Sequence, residues 1–194
     1  MKLVVGLGNP GEEYENTRHN TGFIMLDFIL GKKIEWQGSK YTKLLFYKDS
    51  IANKPIEYIK PTTFMNNSGF AVAFEKEKHK LKLNDIVVIY DDIDLPIGKM
   101  KISFDRSSGG HKGLESIIKK IKSKEFVRIR VGISPATPSG KIRKPKGEEA
   151  MLKFLLGKYK EGELAELKKL SKKVAEAIQV IVSEGKEKAM SLYN

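Results

Sequence analysis

The chain has 194 residues, 40% of them hydrophobic and 31% charged, which suits one globular domain with its own core rather than a disordered segment. It contains no cysteine, so disulfides, thiolate metal sites and a cysteine nucleophile are excluded. Lysine and arginine exceed aspartate and glutamate by 36 to 24, which favours a polyanionic partner such as nucleic acid, with a lysine-rich surface that serves solubility as the alternative. No stretch is apolar enough to span a bilayer, and a signal-peptide pattern is absent, so a cytoplasmic location is expected.

The first half of the chain alternates predicted strands and helices. In chain order they are a buried strand at 2–7, a buried helix at 20–30, a pair of strands at 41–50 and 51–60, and a helix that runs to about residue 80. Asn66 or Ser68 is the expected N-cap of the last helix. His79, among lysines at its end, is expected to lie on a solvated face.

The second half continues the alternation. Its predicted elements are strands at 86–90 and 96–104, a helix at 114–121, a strand at 127–133, a basic Pro/Gly linker at 134–147 and a long C-terminal helix. That helix is predicted from apolar residues at helical spacing between Leu164 and Ile181. Because strands and helices interleave, with at least one hairpin, we expect a single α/β domain over 1–194 with three layers, in which helices flank a twisted, mixed, mostly parallel sheet.

The first strand runs into Gly6, Gly8 and Gly11, which have the G-x-G-x-x-G spacing of a dinucleotide-binding turn. A dinucleotide-binding unit needs its third glycine inside a packed helix, but Pro10 and the polar stretch 11–19 predict no such helix. The glycines therefore indicate a tight strand exit, and a nucleotide-dependent oxidoreductase is a distant alternative.

Chemically useful side chains follow the predicted strands, where sites of α/β sheets usually lie. Asn9 and His19 follow the first strand, and Asp91 follows the most apolar one, with Asp92 and Asp94 close behind. The acidic cluster could hold a hard metal ion or orient a histidine. A histidine paired with an aspartate can act as a general base, and asparagine amides can stabilise charge on a carbonyl oxygen. Motifs of serine hydrolases, zinc proteases and P-loop proteins are missing, so the residues favour a water-mediated ester hydrolase.

Five segments stand out when these loops are quoted with their flanks: VVGLGNPG-x2-Y-x2-TRHN-x-G, KPTTFMN-x-SG, YDDIDLP-x-G, SGGHKGL-x-SI and RIRVGI. In order and spacing they resemble the signature segments of bacterial-type peptidyl-tRNA hydrolases, and the resemblance covers essentially the whole chain. It implies a monomeric α/β protein, without metal or other cofactor, that binds peptidyl-tRNA. The implied reaction cleaves the ester between a peptide and the 3′ ribose of tRNA, which recycles tRNA from aborted translation.

Carried over by position, the resemblance implies roles for single residues. His19 would be the base that activates water, and Asp91 would hold its imidazole in the basic form. Asn9 and Asn66 would bind the peptide main chain, and the acidic trio would support the histidine rather than a metal ion. The implied contacts with the 3′ end of the substrate are Tyr14, Phe64 and Met65 in the cleft and His111 on its rim.

The chain departs from the family pattern at two positions. The family's usual G-G-H-N-G reads G-G-H-K-G here, so Lys112, which cannot accept a hydrogen bond, stands where an asparagine is usual. We expect Lys112 to meet a phosphate or the terminal ribose as a cation. Ser103 replaces a basic residue of the clamp for the tRNA 5′ phosphate, so that charge is expected to come from Lys101, Arg106 or Arg130.

The alternative function is a non-hydrolytic RNA-binding protein on the same fold, similar to the organellar splicing factors related to these hydrolases. Lys112 favours that alternative, whereas the complete set of histidine, aspartate and asparagines disfavours it.

Overall fold

The computed structural model describes residues 1–31, 33–39, 41–137, 139 and 141–194. Its strands are β1 (Lys2–Gly6), β2 (Gln37–Ser39), β3 (Leu44–Ile51), β4 (Lys54–Pro61), β5 (Ile86–Pro96), β6 (Met100–Phe104) and β7 (Val127–Ser134). Its helices are α1 (Thr21–Leu30), α2 (Gly69–Lys78), α3 (Lys112–Ile121), α4 (Glu148–Leu156), α5 (Glu161–Ser183) and α6 (Lys186–Tyr193). Within these residues no helix is long and apolar enough to cross a lipid bilayer.

The strands form one sheet in the order β2-β3-β4-β1-β5-β7-β6. The central strands β4, β1, β5 and β7 are parallel to one another. Antiparallel strands complete both sides, β3 and β2 beyond β4 and β6 beyond β7. The predicted mixed, mostly parallel sheet is therefore confirmed. Because the carboxyl ends of the parallel strands share one edge, the loops that follow β1, β4 and β5 meet there.

Helices cover both faces of the sheet and enclose two apolar cores. Along β1, Val4 packs with α1, α5 and α6 on one face, whereas Leu3 and Val5 pack with α2 and α3 on the other. Successive side chains of a strand point to opposite faces, so a strand between two helical layers is apolar at every position. The three-layer arrangement predicted from the sequence is confirmed.

The glycines after β1 allow a close approach between this strand and α1. A Cβ atom on Gly6 would lie 2.5 Å from the carbonyl oxygen of Gly22, and one on Gly22 would lie 2.2 Å from the amide nitrogen of Leu7. Gly11 has φ of 113°, a conformation that favours glycine. After it comes only a 3₁₀ turn at Glu12–Tyr14, not the helix that a dinucleotide-binding unit requires. The interpretation as a tight strand exit is confirmed.

Ser68 is the N-cap residue of α2, so one of the two predicted positions is confirmed, but its side chain does not cap the helix amides. Among the described residues neither side chain caps this helix: Asn66 lies in a 3₁₀ turn, Met65–Asn67, and the Ser68 hydroxyl donates to the carbonyl oxygen of Met65 at 2.9 Å. The acceptor for the first helical amide comes from α3, because the Gly69 N–H donates to Ser116 Oγ at 3.0 Å. A tertiary contact therefore replaces the local cap.

Three further differences concern the ends of elements and the surface. The predicted C-terminal helix corresponds to α5, but α4 and α6 were not predicted; Gly185, with φ of 99°, separates α5 from α6. In the predicted linker, Ala136 and Ile142 form an antiparallel bridge, and residues 138 and 140 lie outside the described residues. His79 is half-buried rather than fully exposed, because the end of α2 lies over β4 and brings the ring near Glu57.

Candidate active site

The carboxyl end of β5 places Asp91 between two histidines. His19 lies in a 3₁₀ turn, Arg18–Asn20, just before α1, and His111 is the N-cap residue of α3. His19 Nδ1 is 3.0 Å from Asp91 Oδ2, and His111 Nε2 is 3.1 Å from Asp91 Oδ1. One carboxylate therefore binds both imidazole rings, whose centroids are 4.9 Å apart.

The charges in this group act on one another. Burial raises the pKa of the Asp91 carboxyl group, but His19 and then His111 lower it, and the net pKa is well below its usual value. Burial lowers the pKa of His19, but the charge and the hydrogen bond of Asp91 together bring the net pKa above its usual value. Asp91 is therefore ionised at neutral pH, and His19 holds a proton more tightly than a free histidine does.

The hydrogen bonds define the tautomers of the two histidines. An ionised carboxylate only accepts hydrogen bonds, so Nδ1 of His19 donates to Asp91 and its Nε2 keeps a free lone pair. His111 Nδ1 accepts from the backbone N–H of Leu114 at 3.4 Å, so its Nε2 carries the proton that faces Asp91. Tyr90 contacts the His111 ring edge-on at 5.0 Å between centroids. His19 is thus the member of the pair that can accept a proton.

His19 and Asp91 line a cleft of about 460 Å³. The facing wall is the apolar side of α4, with Met151, Leu152 and Leu155. This wall was not predicted, because no helix was expected from the sequence at the position of α4. A basic imidazole beside an apolar wall suits a ligand with both a polar and an apolar part.

His19, Asp91 and His111 are also a potential metal-ligand set, since their ligand atoms all lie within 4.8 Å of one another. The nitrogen atoms that face the carboxylate, however, are those that donate hydrogen bonds to it. A metal ion would have to displace both bonds, and the hydrogen bonds by themselves account for the geometry of the group.

Asn9 follows Gly8 in the loop after β1, and Asn20 holds its backbone. The Asn9 N–H donates to Asn20 Oδ1 at 2.8 Å, and Asn20 Nδ2 donates to the Asn9 carbonyl oxygen at 2.9 Å. Asn9 Oδ1 accepts from the Met65 N–H at 2.7 Å. Because a backbone N–H can only donate, this contact defines the amide orientation and leaves Asn9 Nδ2 as a donor.

Asn20 was not predicted to have a role, although it follows His19 directly in the TRHN segment. Asn9 lines a second cavity of about 520 Å³, bordered also by Asn20 and Lys60, whereas His19 lines the first. Asn20 therefore links the two residues. Asn20 is bonded covalently to His19 and through two hydrogen bonds to Asn9.

The residues predicted to contact the 3′ end lie on the same side of the molecule. Tyr14 and Phe64 contact each other edge-on, with ring centroids 6.3 Å apart, and Phe64 is 57% exposed. Asn66 is exposed in the adjacent 3₁₀ turn. Met65 is buried beneath them, and its sulfur would lie 2.6 Å from a Cβ atom on Gly113. Met65 therefore supports the site from below and contributes its backbone N–H to Asn9.

The predicted phosphate contacts differ in how accessible they are. Lys101 and Arg106 are exposed, and the Lys112 side chain is 67% exposed, 3.3 Å from Glu115. Arg130 is buried and donates through Nε to Asp92 at 2.5 Å. Its positive charge is therefore compensated inside the protein, which leaves Lys101, Arg106 and Lys112 as the accessible cations of this group.

The expectation that Asp91, Asp92 and Asp94 all support the histidine is wrong, and all three lie within β5. Within the described residues, Asp92 pairs with Arg130 and Asp94 pairs with Lys144, and Asp91 is the member that contacts the histidines. Adjacent side chains of a strand point to opposite faces, so residues next to each other in sequence cannot all face one ring.

Two arginines hold the segments that carry the histidines, and neither was predicted to do so. The Arg18 guanidinium donates to the Glu163 carboxylate at 3.2 Å and to the Gly157 carbonyl oxygen at 3.2 Å, which ties the His19 turn to the junction of α4 and α5. Arg128 is fully buried and donates to the carbonyl oxygens of Ser107, at 2.7 Å, and of Arg106. It thereby holds the loop that leads to His111. Both arginines occur in segments quoted for the resemblance, TRHN and RIRVGI.

Comparisons with known proteins identify the family of this chain. A family model described as peptidyl-tRNA hydrolase matches residues 3–194. The chain is 42% identical over 192 residues to the peptidyl-tRNA hydrolase of Thermotoga maritima, covering 99% of this chain and 96% of that one. It is 40% identical over 195 residues to that of Aquifex aeolicus, covering 100% and 96%. The fold resembles the crystal structure of peptidyl-tRNA hydrolase from Acinetobacter baumannii with a TM-score of 0.86 and 27% identity, covering 100% of this chain and 94% of that chain. The chain therefore belongs to the peptidyl-tRNA hydrolase family.

Proposed function

We propose that the protein hydrolyses the ester bond between a peptide and the 3′ ribose of tRNA, releasing free tRNA and the peptide. The observation that carries this proposal is the orientation of His19, whose Nδ1–H is bound by Asp91 while Nε2 is free as a base. The raised pKa of His19 makes the imidazole a stronger base than a free histidine. Family membership supports the same reaction.

In the proposed reaction, His19 Nε2 takes a proton from a water molecule as its oxygen attacks the ester carbonyl carbon. The new C–O bond forms, the bond to the ribose 3′ oxygen breaks, and the proton passes from His19 to that oxygen. Asp91 stabilises the imidazolium in between. A general base of this kind contributes about 10²–10⁴-fold to the rate. This is the scale needed for an ester, which has a better leaving group than an amide.

Asn9 is proposed to hold the peptide at the reacting centre. Its Oδ1 is engaged by the Met65 N–H, so Nδ2 is the group left to donate a hydrogen bond to a carbonyl oxygen of the substrate. Removing one such donor from the site of developing charge costs about 10²–10³-fold in other enzymes. Asn66, exposed nearby, is proposed as a second contact to the peptide main chain.

The tRNA is proposed to bind through its phosphates and its 3′ terminal bases. The net charge of +12 favours a polyanion, and phosphate contacts make such binding salt-dependent. Lys101, Arg106 and Lys112 are the proposed cations, and Tyr14 with exposed Phe64 would stack on bases, a contact worth about 1–3 kcal/mol per base. We further propose that the protein acts as a cytoplasmic monomer and that the reaction uses no metal ion.

The test is release of the blocked amino acid from N-acetyl-aminoacyl-tRNA by the purified protein, compared with its His19→Ala variant. We expect the variant to lose about 10²–10⁴-fold in kcat/KM, the contribution of a general base. Equal rates for the two proteins would refute the role of His19. Tight tRNA binding without any release by the parent protein would instead support the non-hydrolytic RNA-binding alternative.

A further inference from the structure

A second group of acidic and histidine side chains lies far from the active site. Glu57 of β4 stands opposite Leu3 of β1 in the sheet, at the amino end of the parallel strands, whereas the active-site residues follow the carboxyl ends. Glu75 and His79 come from the end of α2, which covers this face of β4. Because they are four residues apart, their side chains lie on the same face of the helix and both point towards Glu57.

The three side chains converge on one point without forming hydrogen bonds to one another. His79 Nε2 is 3.2 Å from Glu75 Oε2 and 3.4 Å from Glu57 Oε2. The side chains of Glu57 and Glu75 are only 2% and 1% exposed. Across the described part of the chain, neither oxygen of Glu57 has a hydrogen-bond partner, and neither does His79 Nε2. A buried carboxylate without a hydrogen-bond partner has a high free-energy cost, and a bound cation would reduce that cost.

The distances match the spacing of ligands around a metal ion. Zinc binds histidine nitrogen and carboxylate oxygen at about 2.0–2.2 Å, so neighbouring ligands of a tetrahedral site lie about 3.4 Å apart. Charge-assisted hydrogen bonds between the same atoms would be about 2.7–2.9 Å long. One nitrogen and two carboxylate oxygens suit zinc and similar transition metals better than magnesium or calcium, which take oxygen ligands.

The lysines near Glu57, Glu75 and His79 do not prevent a cation from binding there. Lys78 donates to both oxygens of Glu75, at 2.9 and 3.2 Å, but its side chain is 44% exposed and can move into solvent. Lys48 stands opposite Glu57 on β3 and is exposed. A divalent ion would balance the charge of the two carboxylates, Glu57 and Glu75.

We propose that Glu57, Glu75 and His79 bind a divalent transition-metal ion of the zinc type. The three side chains supply three ligands, and water from the half-exposed side of His79 supplies the fourth. The ion joins the end of α2 to β4 and thereby stabilises the fold. Its distance from the active site separates it from the hydrolysis reaction, so the proposal does not depend on the proposed function.

The test is titration of the metal-free full-length protein with Co²⁺, followed by visible absorption, and with Zn²⁺, followed by thermal unfolding. We expect one equivalent of Co²⁺ to give the d–d absorption of a four-coordinate site. Zn²⁺ at about 100 times its Kd should raise Tm by roughly 5–10 °C for a chain of this size. Both responses should disappear in Glu57→Gln and in His79→Gln.

The matched control is Asp91→Asn, which removes the carboxylate from the other potential ligand set, His19, Asp91 and His111. This variant should keep the absorption and the rise in Tm. Loss of the response in Asp91→Asn, or its persistence in Glu57→Gln and His79→Gln, would place the metal elsewhere and overturn the proposal. Absence of binding by the parent protein at micromolar Co²⁺ would also overturn it. Because Glu57→Gln removes a buried charge, it should fold at least as well as the parent protein without metal, which circular dichroism can verify.

Discussion

Replacing Asp91 by asparagine removes the negative charge that both histidines face while keeping the size of the side chain. His19 Nδ1 lies 3.0 Å from this carboxylate, and His19 is buried. Two unit charges about 4 Å apart attract each other by about 4 kcal/mol at an effective dielectric constant of about 20. The carboxylate therefore raises the pKa of His19, whereas burial of the imidazole lowers it, and the net pKa lies above the usual value.

The consequence is a shift in the dependence of activity on pH. In the parent protein, kcat/KM should rise with pH as His19 loses its proton, with an inflection above the usual value of 6.5. In Asp91→Asn the carboxylate is gone but burial remains, so the inflection should move down, to below 6.5. The plateau should fall by about 10²–10⁴-fold, because the base is weaker and its tautomer is no longer maintained.

The assay is the pH profile of kcat/KM on N-acetyl-aminoacyl-tRNA between about pH 4 and 9. Asp94→Asn is the control, because Asp94 comes from the same strand but pairs with Lys144 and not with the histidines; it should keep the inflection of the parent protein. An unchanged inflection and plateau in Asp91→Asn would refute the argument that Asp91 controls His19.

The interaction of His19 with Asp91 also predicts how the free energy of unfolding depends on pH. The folded-state pKa of His19 is raised, so its contribution is complete below 6.5 and is lost as pH rises through the raised value. The folded-state pKa of Asp91 is lowered, so its contribution is present above 3.8 and is lost as pH falls through the lowered value. Asp91→Asn should therefore cost most stability between these limits, around pH 4 to 6.5, measured as the difference in urea unfolding free energy from the parent protein.

The remaining predictions concern the support of the site and its one unusual cation. Asn20→Ala removes two buried hydrogen bonds to the backbone of Asn9. It should lower the free energy of urea unfolding by about 2–4 kcal/mol and kcat/KM at least tenfold. A variant as active as the parent protein would show that Asn9 needs no such support. Gly22→Ala places a Cβ atom 2.2 Å from the Leu7 amide nitrogen and should cost about 1–3 kcal/mol or more in urea unfolding, whereas Gly162→Ala, with open space around it, should cost nothing. Lys112→Asn restores the residue usual in the family and should leave kcat/KM comparable or higher, since Lys112 is exposed and pairs with Glu115 on the surface. A collapse of activity would mean that the lysine has its own specific role.

Much of this protein could be predicted from local patterns in its sequence. Runs that are apolar at every position predicted the central strands, because a strand between two helical layers is buried on both faces. Polar residues directly after those strands predicted where the site would be, because the carboxyl ends of parallel strands meet at one edge. Asn9 and His19 lie between β1 and α1 and Asp91 lies in β5, so the topology brings them to the same edge of the sheet.

The supporting contacts could not be predicted in this way, because each joins a side chain to backbone that is distant in sequence. Arg18 bonds to residues about 140 positions away, and Asn20 bonds to the backbone of Asn9 around a turn. The cap of α2 comes from Ser116 for the same reason. A sequence pattern shows the donors of such contacts but not the carbonyl and amide groups that face them.

The charged end of α2 shows most clearly which features the sequence determined and which depended on tertiary packing. The sequence E-K-E-K-H-K predicts a solvated helix end, and most of its lysines are indeed exposed. Its amino-acid types determined that this segment would be helical and mostly exposed to solvent. Only the packing of α2 on β4 placed Glu75 and His79 beside Glu57 in the interior. The physical reason is that helical periodicity specifies which residues share a face of the helix but not which strand that face will cover.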